Sequence, residues 1–168
     1  MDGLLNPNPL LELGVGAFGL VVVIFIHGAG IRVINRRFSR AWVRIGPQTA
    51  HWRSELLLGL VIFSLTALHL FETLLWAWPL HLSDVIPNLR DAYFCVLESY
   101  TTLGAGRVEL PERWRLIGPI IAMSGLFTFG WTASVLVSIM TSFGRMDSAQ
   151  ARRCDGSQRS GNEPRRDG

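Results

Sequence analysis

The chain contains no lysine, and all 16 of its basic residues are arginine. Charged residues make up only 17% of its 168 residues, whereas hydrophobic residues make up 49%. Because soluble domains usually carry about a quarter charged residues, this balance excludes an ordinary soluble domain. The arginines flank apolar stretches and do not form a basic face of a soluble domain, so we expect no nucleic-acid partner.

Cysteine is also scarce. The two cysteines lie in a short apolar segment (Cys95) and in the polar tail (Cys154), which does not indicate a disulfide framework. The apolar stretches carry no ladder of arginines, which excludes a voltage sensor. The sequence also has no recognisable set of nucleophile and base. We therefore expect no enzyme activity, no catalytic residue and no cofactor.

Three apolar stretches are long enough to cross a bilayer, which takes about 20 residues. They run from Leu10 to Ile31, from Leu56 to Trp78 and from Leu116 to Met140. A fourth stretch, from Ala92 to Leu103, is too short to cross and favours a buried or re-entrant helix. The sequence predicts an all-α membrane protein with three transmembrane helices and a re-entrant helix and loop between the last two.

The arginines predict the orientation of these spans. Most of them fall in two groups, one between the first two spans and one after the third, namely Arg32, Arg36, Arg37, Arg40, Arg44 and Arg53, and Arg145, Arg152, Arg153, Arg159, Arg165 and Arg166. The positive-inside rule places both groups in the cytoplasm. The N-terminus and the loop before the third span are then expected outside, and the C-terminus inside.

The predicted domain organisation has four parts. Residues 1–34 form the first transmembrane helix, 35–54 a basic linker, 55–144 the two other spans with the loop between them, and 145–168 a polar tail that we expect to be disordered. The linker mixes arginine with apolar residues, which fits either an interfacial helix or an ordinary loop. Arginines of the linker and tail are expected to contact anionic lipid headgroups.

Two ionisable residues lie inside the second span. His69 and Glu72 are three residues apart and therefore share one helix face. Buried ionisable groups in a membrane are costly unless they are paired. Two readings stay open: a proton- or metal-sensitive element, or a polar bracket that holds this helix to the short helix. Two ligands make no metal site, so none is predicted, and His27 in the first span is interpreted as an interface residue.

Residues Leu89 to Tyr100 are predicted to form the short helix, with Asn88 as N-cap and Asp91 in the first turn. The run that follows, Thr101-Thr102-Leu103-Gly104-Ala105-Gly106-Arg107, resembles the selectivity filter of the potassium channel family, Thr-Thr-Val-Gly-Tyr-Gly-Asp. The stretch from about Leu56 to Met140 is similar to the two-helix pore module of bacterial potassium channels and to a single repeat of the two-pore-domain family.

This resemblance implies a homotetramer in which backbone carbonyls of residues 101–106 replace the hydration shell of a monovalent cation, K⁺ in the family. Residues 55–144 would be the pore domain. Gly104 and Gly106 are expected to supply the backbone torsions that direct the carbonyls to one axis. Gly125 lies near the position of the family's gating hinge, although a glycine there fits close packing equally well.

Two residues depart from the family pattern. Ala105 replaces the aromatic residue that packs behind the filter, and Arg107 replaces the acid at the outer mouth. Four arginines about 10 Å from an entering cation would repel it by roughly 1.5 kcal/mol in water. We predict that Glu98 pairs with Arg107 and offsets this repulsion, with Glu109 as a competing partner.

Three functional readings follow. The first is the pore-forming subunit of a cation channel in the bacterial inner membrane. The second is a channel-related protein that does not conduct and serves assembly or regulation. The third is an intramembrane metal-dependent protein that uses His69 and Glu72, together with Glu98.

Overall fold

The computed structural model describes residues 9–44, 51–104, 106 and 108–161. It contains four α-helices, which are α1 (Pro9–Arg44), α2 (His51–Leu82), α3 (Leu89–Tyr100) and α4 (Ile117–Gly161). A 3₁₀ turn at Glu112–Trp114 precedes α4. The described residues contain no strand, which confirms the all-α class.

Three helical segments are long and apolar enough to span a membrane: Pro9–Arg40, Glu55–Leu82 and Glu112–Thr141. Each contains one of the three spans predicted from the sequence. The prediction of three transmembrane helices is confirmed, and the protein is a multi-pass membrane protein.

The short helix α3 has the bounds that the sequence predicts. Its N-cap is Asn88, whose side chain accepts a hydrogen bond from the Arg90 N–H at 2.9 Å. Asp91 lies in the first turn, where its negative charge favours the positive end of the helix dipole. The buried side of α3 is formed by Ala92, Cys95, Val96 and Tyr100.

Helices α1 and α4 extend further than the sequence predicts. Residues 35–44 of the predicted linker continue α1, and residues 145–161 continue α4 where disorder was expected. Extending an existing helix avoids the cost of nucleation, and this stretch of the tail contains good helix formers such as Ala149, Gln150 and Arg152. The break at Gly46–Pro47 and residues 162–168 lie outside the described residues.

One face of α1 packs on α2 and on the 3₁₀ turn before α4. Its buried residues Glu12, Gly16, Val23, His27 and Ile31 lie one or two helical turns apart, as one helix face requires. Gly19 belongs to the same face, and a Cβ added there would lie 2.6 Å from the Trp76 ring. Small residues of this kind let transmembrane helices approach closely.

Residues Met1–Gly130 and Trp131–Gly168 separate into two compact units. The apolar core lies in the first unit, where residues of α1, α2, α3 and α4 meet, among them Val23, Trp76, Ala77, Val96 and Ile121. Outside this core, many large apolar side chains are exposed, for example Phe18, Phe25 and Phe63. Such exposure is expected of helices that contact lipid.

Candidate functional site: the loop after α3 and a buried polar cluster

The loop after α3 begins as a cap on that helix. The Leu103 N–H donates to the Glu98 carbonyl at 2.9 Å, and the Thr102 N–H donates to the Ser99 carbonyl at 3.0 Å. This pair of bonds is the Schellman pattern, in which the residue after the C-cap adopts a left-handed conformation. Thr102 does so with φ 58°. Because a β-branched residue rarely has positive φ, the loop starts with local backbone strain.

Gly104 is the second residue of this loop with positive φ, at 102°. The sequence predicts the unusual torsions at Gly104 and Gly106, but Gly106 does not have a positive φ. A Cβ added at Gly106 would fall on the carboxylate of Glu98, so the Glu98 side chain lies directly against the loop at this residue. The left-handed residues of the described loop are therefore Thr102 and Gly104, which alternate along the chain.

The side chain of Glu98 reaches the loop from the last turns of α3. Its Oε2 is buried and has no hydrogen-bond partner among the described residues. Glu98 and the exposed Glu109 line a cavity of about 450 Å³ between α3, the loop and the start of α4. Ala105 and Arg107 lie outside the described residues, so the predicted pair of Glu98 with Arg107 stays a prediction.

The residues of the loop itself are exposed in the single chain. Leu103 has 77% of its surface accessible, and Thr101, Thr102, Gly104 and Gly106 are exposed as well. Cys95, one turn before Glu98 on α3, lines the same cavity but is buried, and burial raises the pKa of its thiol, with the nearby charge of Glu98 acting in the same direction.

A buried polar cluster lies between α1, α2, α3 and α4. It consists of His27, His69, Glu72, Tyr100 and Thr128. His27 Nδ1 lies 2.7 Å from Glu72 Oε1, and the Tyr100 hydroxyl donates to Glu72 Oε2 at 2.6 Å. His27 and Glu72 have no solvent exposure, and His69 has 9%. The cluster places an ionisable carboxyl in the protein interior with hydrogen bonds to both of its oxygens.

One assignment of protons satisfies these contacts. Burial raises the pKa of the Tyr100 phenol, as does its bond to Glu72, so the phenol keeps its proton and donates it to the carboxylate. The Tyr100 oxygen can then accept from His69 Nδ1, 3.0 Å away, and it lies 2.6 Å from the Thr128 hydroxyl, whose one proton is shared between Tyr100 and the Ser124 carbonyl. His27 Nδ1 donates to the other carboxylate oxygen. Buried polar groups are stable when they are satisfied in this way.

Tyr100 connects this cluster to the loop, because it is the last residue of α3 and directly precedes Thr101. Its backbone carbonyl also lies against Gly125 of α4, where an added Cβ would collide with the carbonyl oxygen. Gly125 therefore permits a close approach between α4 and the end of α3. The ring of Phe129 packs beside the cluster, 4.5 Å from the His69 ring and 5.4 Å from the Tyr100 ring.

Further polar bonds tie the same helices together. The Trp76 indole N–H donates to Ser124 Oγ at 3.0 Å, and Thr73 Oγ1 donates to the Tyr93 hydroxyl at 3.2 Å. At the start of α4 the Leu116 N–H donates to the buried carboxylate of Glu12. This last bond satisfies one of the free N–H groups at a helix start and attaches α1 to the beginning of α4.

Reasoning from the sequence found His69 and Glu72 but assigned His27, Tyr100 and Thr128 no part in the cluster. A signal for His27 existed, because it falls on the face of α1 that also carries Glu12, Gly16, Gly19 and Val23. A histidine on a helix face rich in small residues is more consistent with a buried contact than with a position at the membrane surface.

Residues 56–142 match the model of an ion-channel family. No curated protein and no solved structure matches the chain. The matched region contains most of α2, all of α3, the loop and the membrane-spanning part of α4, and it does not contain α1. Because it covers 87 of 168 residues, more than half of the chain, this protein belongs to the ion-channel family.

Proposed function

We propose that this protein is the pore-forming subunit of a homotetrameric cation channel of the potassium-channel type. The observation that carries the proposal is the ion-channel family match, which contains α3 and the loop after it between two membrane-spanning helices. In this proposal four chains surround an axis, and each contributes backbone carbonyls of residues 101–106. K⁺ is the proposed permeant ion.

The geometry of the loop supports this role. Left-handed torsions at Thr102 and Gly104 alternate with residues of ordinary φ, and alternation of this kind can turn successive carbonyls toward one side. The loop is exposed in the single chain, which suits a segment that meets its copies around an axis. The C-terminal end of α3 carries the negative end of the helix dipole and leads directly into the loop, where a cation would be stabilised.

Further parts of the proposal concern the supports of the pore. Glu98, whose Oε2 has no partner among the described residues, is the proposed partner of Arg107. Glu109 lines the same cavity and remains the competing partner.

His69 and Glu72 act as a polar bracket that holds α2 to α3, which is supported by their contacts with Tyr100 of α3. If α4 bends at Gly125 during gating, the bend would change the close contact between Gly125 and the backbone carbonyl of Tyr100.

The proposed location is the bacterial inner membrane, with the N-terminus outside and the C-terminus in the cytoplasm. Arg32, Arg36 and Arg40 are spaced four residues apart and line one groove on the C-terminal half of α1, together with Asn35 and Ser39. At the cytoplasmic surface this groove would face anionic lipid headgroups, and each arginine would contribute about 1 kcal/mol of attraction.

The test is ion flux in liposomes that contain the purified full-length protein. We expect K⁺ flux and no Cl⁻ flux from the wild type, with Na⁺ flux reporting how selective the altered filter is. Gly104→Val should abolish flux, because valine is strained at a φ of 102°. Gly59→Val is the matched control, since Gly59 in α2 has open space around it, and its flux should equal that of the wild type.

Two results would contradict the proposal. Flux that survives Gly104→Val would show that ions do not pass this loop. A silent wild type that becomes K⁺-conducting in the double variant Ala105→Tyr with Arg107→Asp would indicate the non-conducting reading, in which the pore fold is kept for assembly or regulation.

A further inference from the structure

The buried polar cluster brings three strong metal-ligating side chains to one point. His27, His69 and Glu72 each offer one ligand atom, and these atoms lie within 4.8 Å of one another. His27 comes from α1, outside the region of the family match, and the other two come from α2. We propose that His27, His69 and Glu72 form a binding site for a divalent transition-metal ion of the zinc type, independent of the ion path.

The distances suit such an ion. Ligand atoms around a tetrahedral ion with bonds of about 2.0–2.1 Å lie about 3.3 Å from one another. In the structure His27 Nδ1 is 2.7 Å from Glu72 Oε1, and His69 Nδ1 is 3.6 Å from Glu72 Oε2. These two distances lie on either side of that spacing, and all three ligand atoms lie within 4.8 Å of one another, so movements of the side chains alone would make room for the ion. The ion would replace the proton that His27 and Glu72 now share in their hydrogen bond.

The ligand types select a class of metal. Two imidazoles and one carboxylate are a recurrent zinc-binding set with a fourth position left for another ligand. Imidazole also suits Cu²⁺ and Ni²⁺, whereas Ca²⁺ and Mg²⁺ prefer all-oxygen sites. The Tyr100 hydroxyl is 2.6 Å from Glu72 and 3.0 Å from His69, so it stands at the edge of the site as a fourth ligand or as the outer support of the carboxylate.

The charge of the site also favours an ion. Glu72 has no solvent exposure, and among the described residues its ion-pair contacts are with His27 and His69 and with no arginine. A buried carboxylate without a permanent cation is costly, particularly in a membrane. A divalent ion would compensate this charge. His69, with 9% exposure beside the exposed Phe129, marks the side from which an ion can enter.

The site would also have a consequence for the fold. An ion bound there holds α1 to α2 directly and reaches the end of α3 through Tyr100. A ligand that binds only the folded protein raises its stability in proportion to the logarithm of its concentration over Kd. Zn²⁺ is therefore expected to raise the unfolding temperature of the wild-type protein in a concentration-dependent manner.

The test uses the purified full-length protein without an affinity tag, stripped of metal by a chelator and kept in micelles. Co²⁺ is the first probe because its visible absorption reports four-coordinate sites, and Zn²⁺ should displace it. We expect one Co²⁺ per chain. His27→Gln, His69→Gln and Glu72→Gln each remove a direct ligand of the metal. Losing a residue that only hydrogen-bonds to a ligand weakens metal binding by roughly 10–100-fold, so each of these three substitutions should weaken Co²⁺ binding by more than that.

His81→Gln is the matched control, because His81 lies at the end of the same helix α2 and its Nδ1 has no hydrogen-bond partner among the described residues. Its Co²⁺ affinity should equal that of the wild type. The proposal is overturned if the wild type binds no stoichiometric metal, which would mean a hydrogen-bonded cluster only, or if His27→Gln binds as tightly as the wild type.

A second measurement needs no variant and therefore holds even if the substituted proteins fold poorly. X-ray absorption of the Zn²⁺-loaded wild type should show two imidazole ligands, and a first shell without imidazole overturns the proposal. Neither measurement depends on ion flux. A protein that conducts but binds no metal would refute the metal site alone, and a protein that binds metal but does not conduct would refute the proposed function alone.

Discussion

The loop after α3 and the buried polar cluster are neighbours in the chain, yet they are built in opposite ways. The described residues of the loop are exposed, and their backbone hydrogen bonds to α3 are those of the cap at Thr102 and Leu103. The cluster begins one residue earlier, at Tyr100, where every polar partner is buried or nearly so. The backbone of the loop is available to ions or to other copies, whereas the cluster fixes the position from which the loop starts.

This difference separates two kinds of residue. Substitutions in the cluster should lower the stability of the single chain, because they leave buried polar groups without partners. Substitutions in the loop should change ion flux with little effect on that stability. The three predictions below test this division, in order of decreasing expected effect on the free energy of unfolding.

The largest effect is expected from Glu72→Ala. The substitution removes contacts with His27, His69 and Tyr100 and leaves those groups buried. Hydrogen bonds in membrane helices average about 0.6 kcal/mol and reach about 1.7 kcal/mol, so three contacts and their stranded partners should cost about 3 kcal/mol. The measurement is unfolding by sodium dodecyl sulfate in micelles, followed by tryptophan fluorescence. Glu55→Ala, at an exposed position of the same helix, should change stability by less than about 0.5 kcal/mol.

A smaller loss is expected from Gly125→Ala. The new methyl group would collide with the Tyr100 carbonyl, which is backbone and cannot rotate away, so overpacking should cost about 2 kcal/mol. The same unfolding experiment measures it. Gly130→Ala is the control, because Gly130 of the same helix has open space around it. If Gly125→Ala leaves stability unchanged but alters flux, the hinge reading is favoured over the packing reading.

The smallest loss is expected from Leu103→Ala in the loop. With 77% of its surface exposed in the single chain, Leu103 should contribute less than about 0.5 kcal/mol to the stability of the monomer. Leu80→Ala, at a position that is only 7% exposed, should cost about 2–5 kcal/mol. Equal losses from the two substitutions would contradict the division between an open loop and a packed interior.

Much of the fold follows from local sequence. The three spans are predicted from runs of apolar residues, and α3 is predicted from its N-cap Asn88 and its length. The extension of α4 through residues 145–161 was not predicted, since composition alone does not show that an existing helix spares the segment the cost of nucleation. In the loop, a glycine stands at one position of positive φ, Gly104, whereas the left-handed Thr102 arises from the cap of α3 and has no signal in the sequence.

The sequence by itself determined the class of protein, because membrane spans and the filter-like run are local patterns that need no contact between distant residues. It also determined that Glu72 needs a partner, since a carboxyl in a membrane is costly alone. The tertiary structure decided which partners those are. His27 lies 45 residues away in the chain, and Tyr100 lies 28 residues away. Packing of α1 along its face with Gly19 brings His27 to Glu72, and hydrogen bonds form only at the distances that this packing sets.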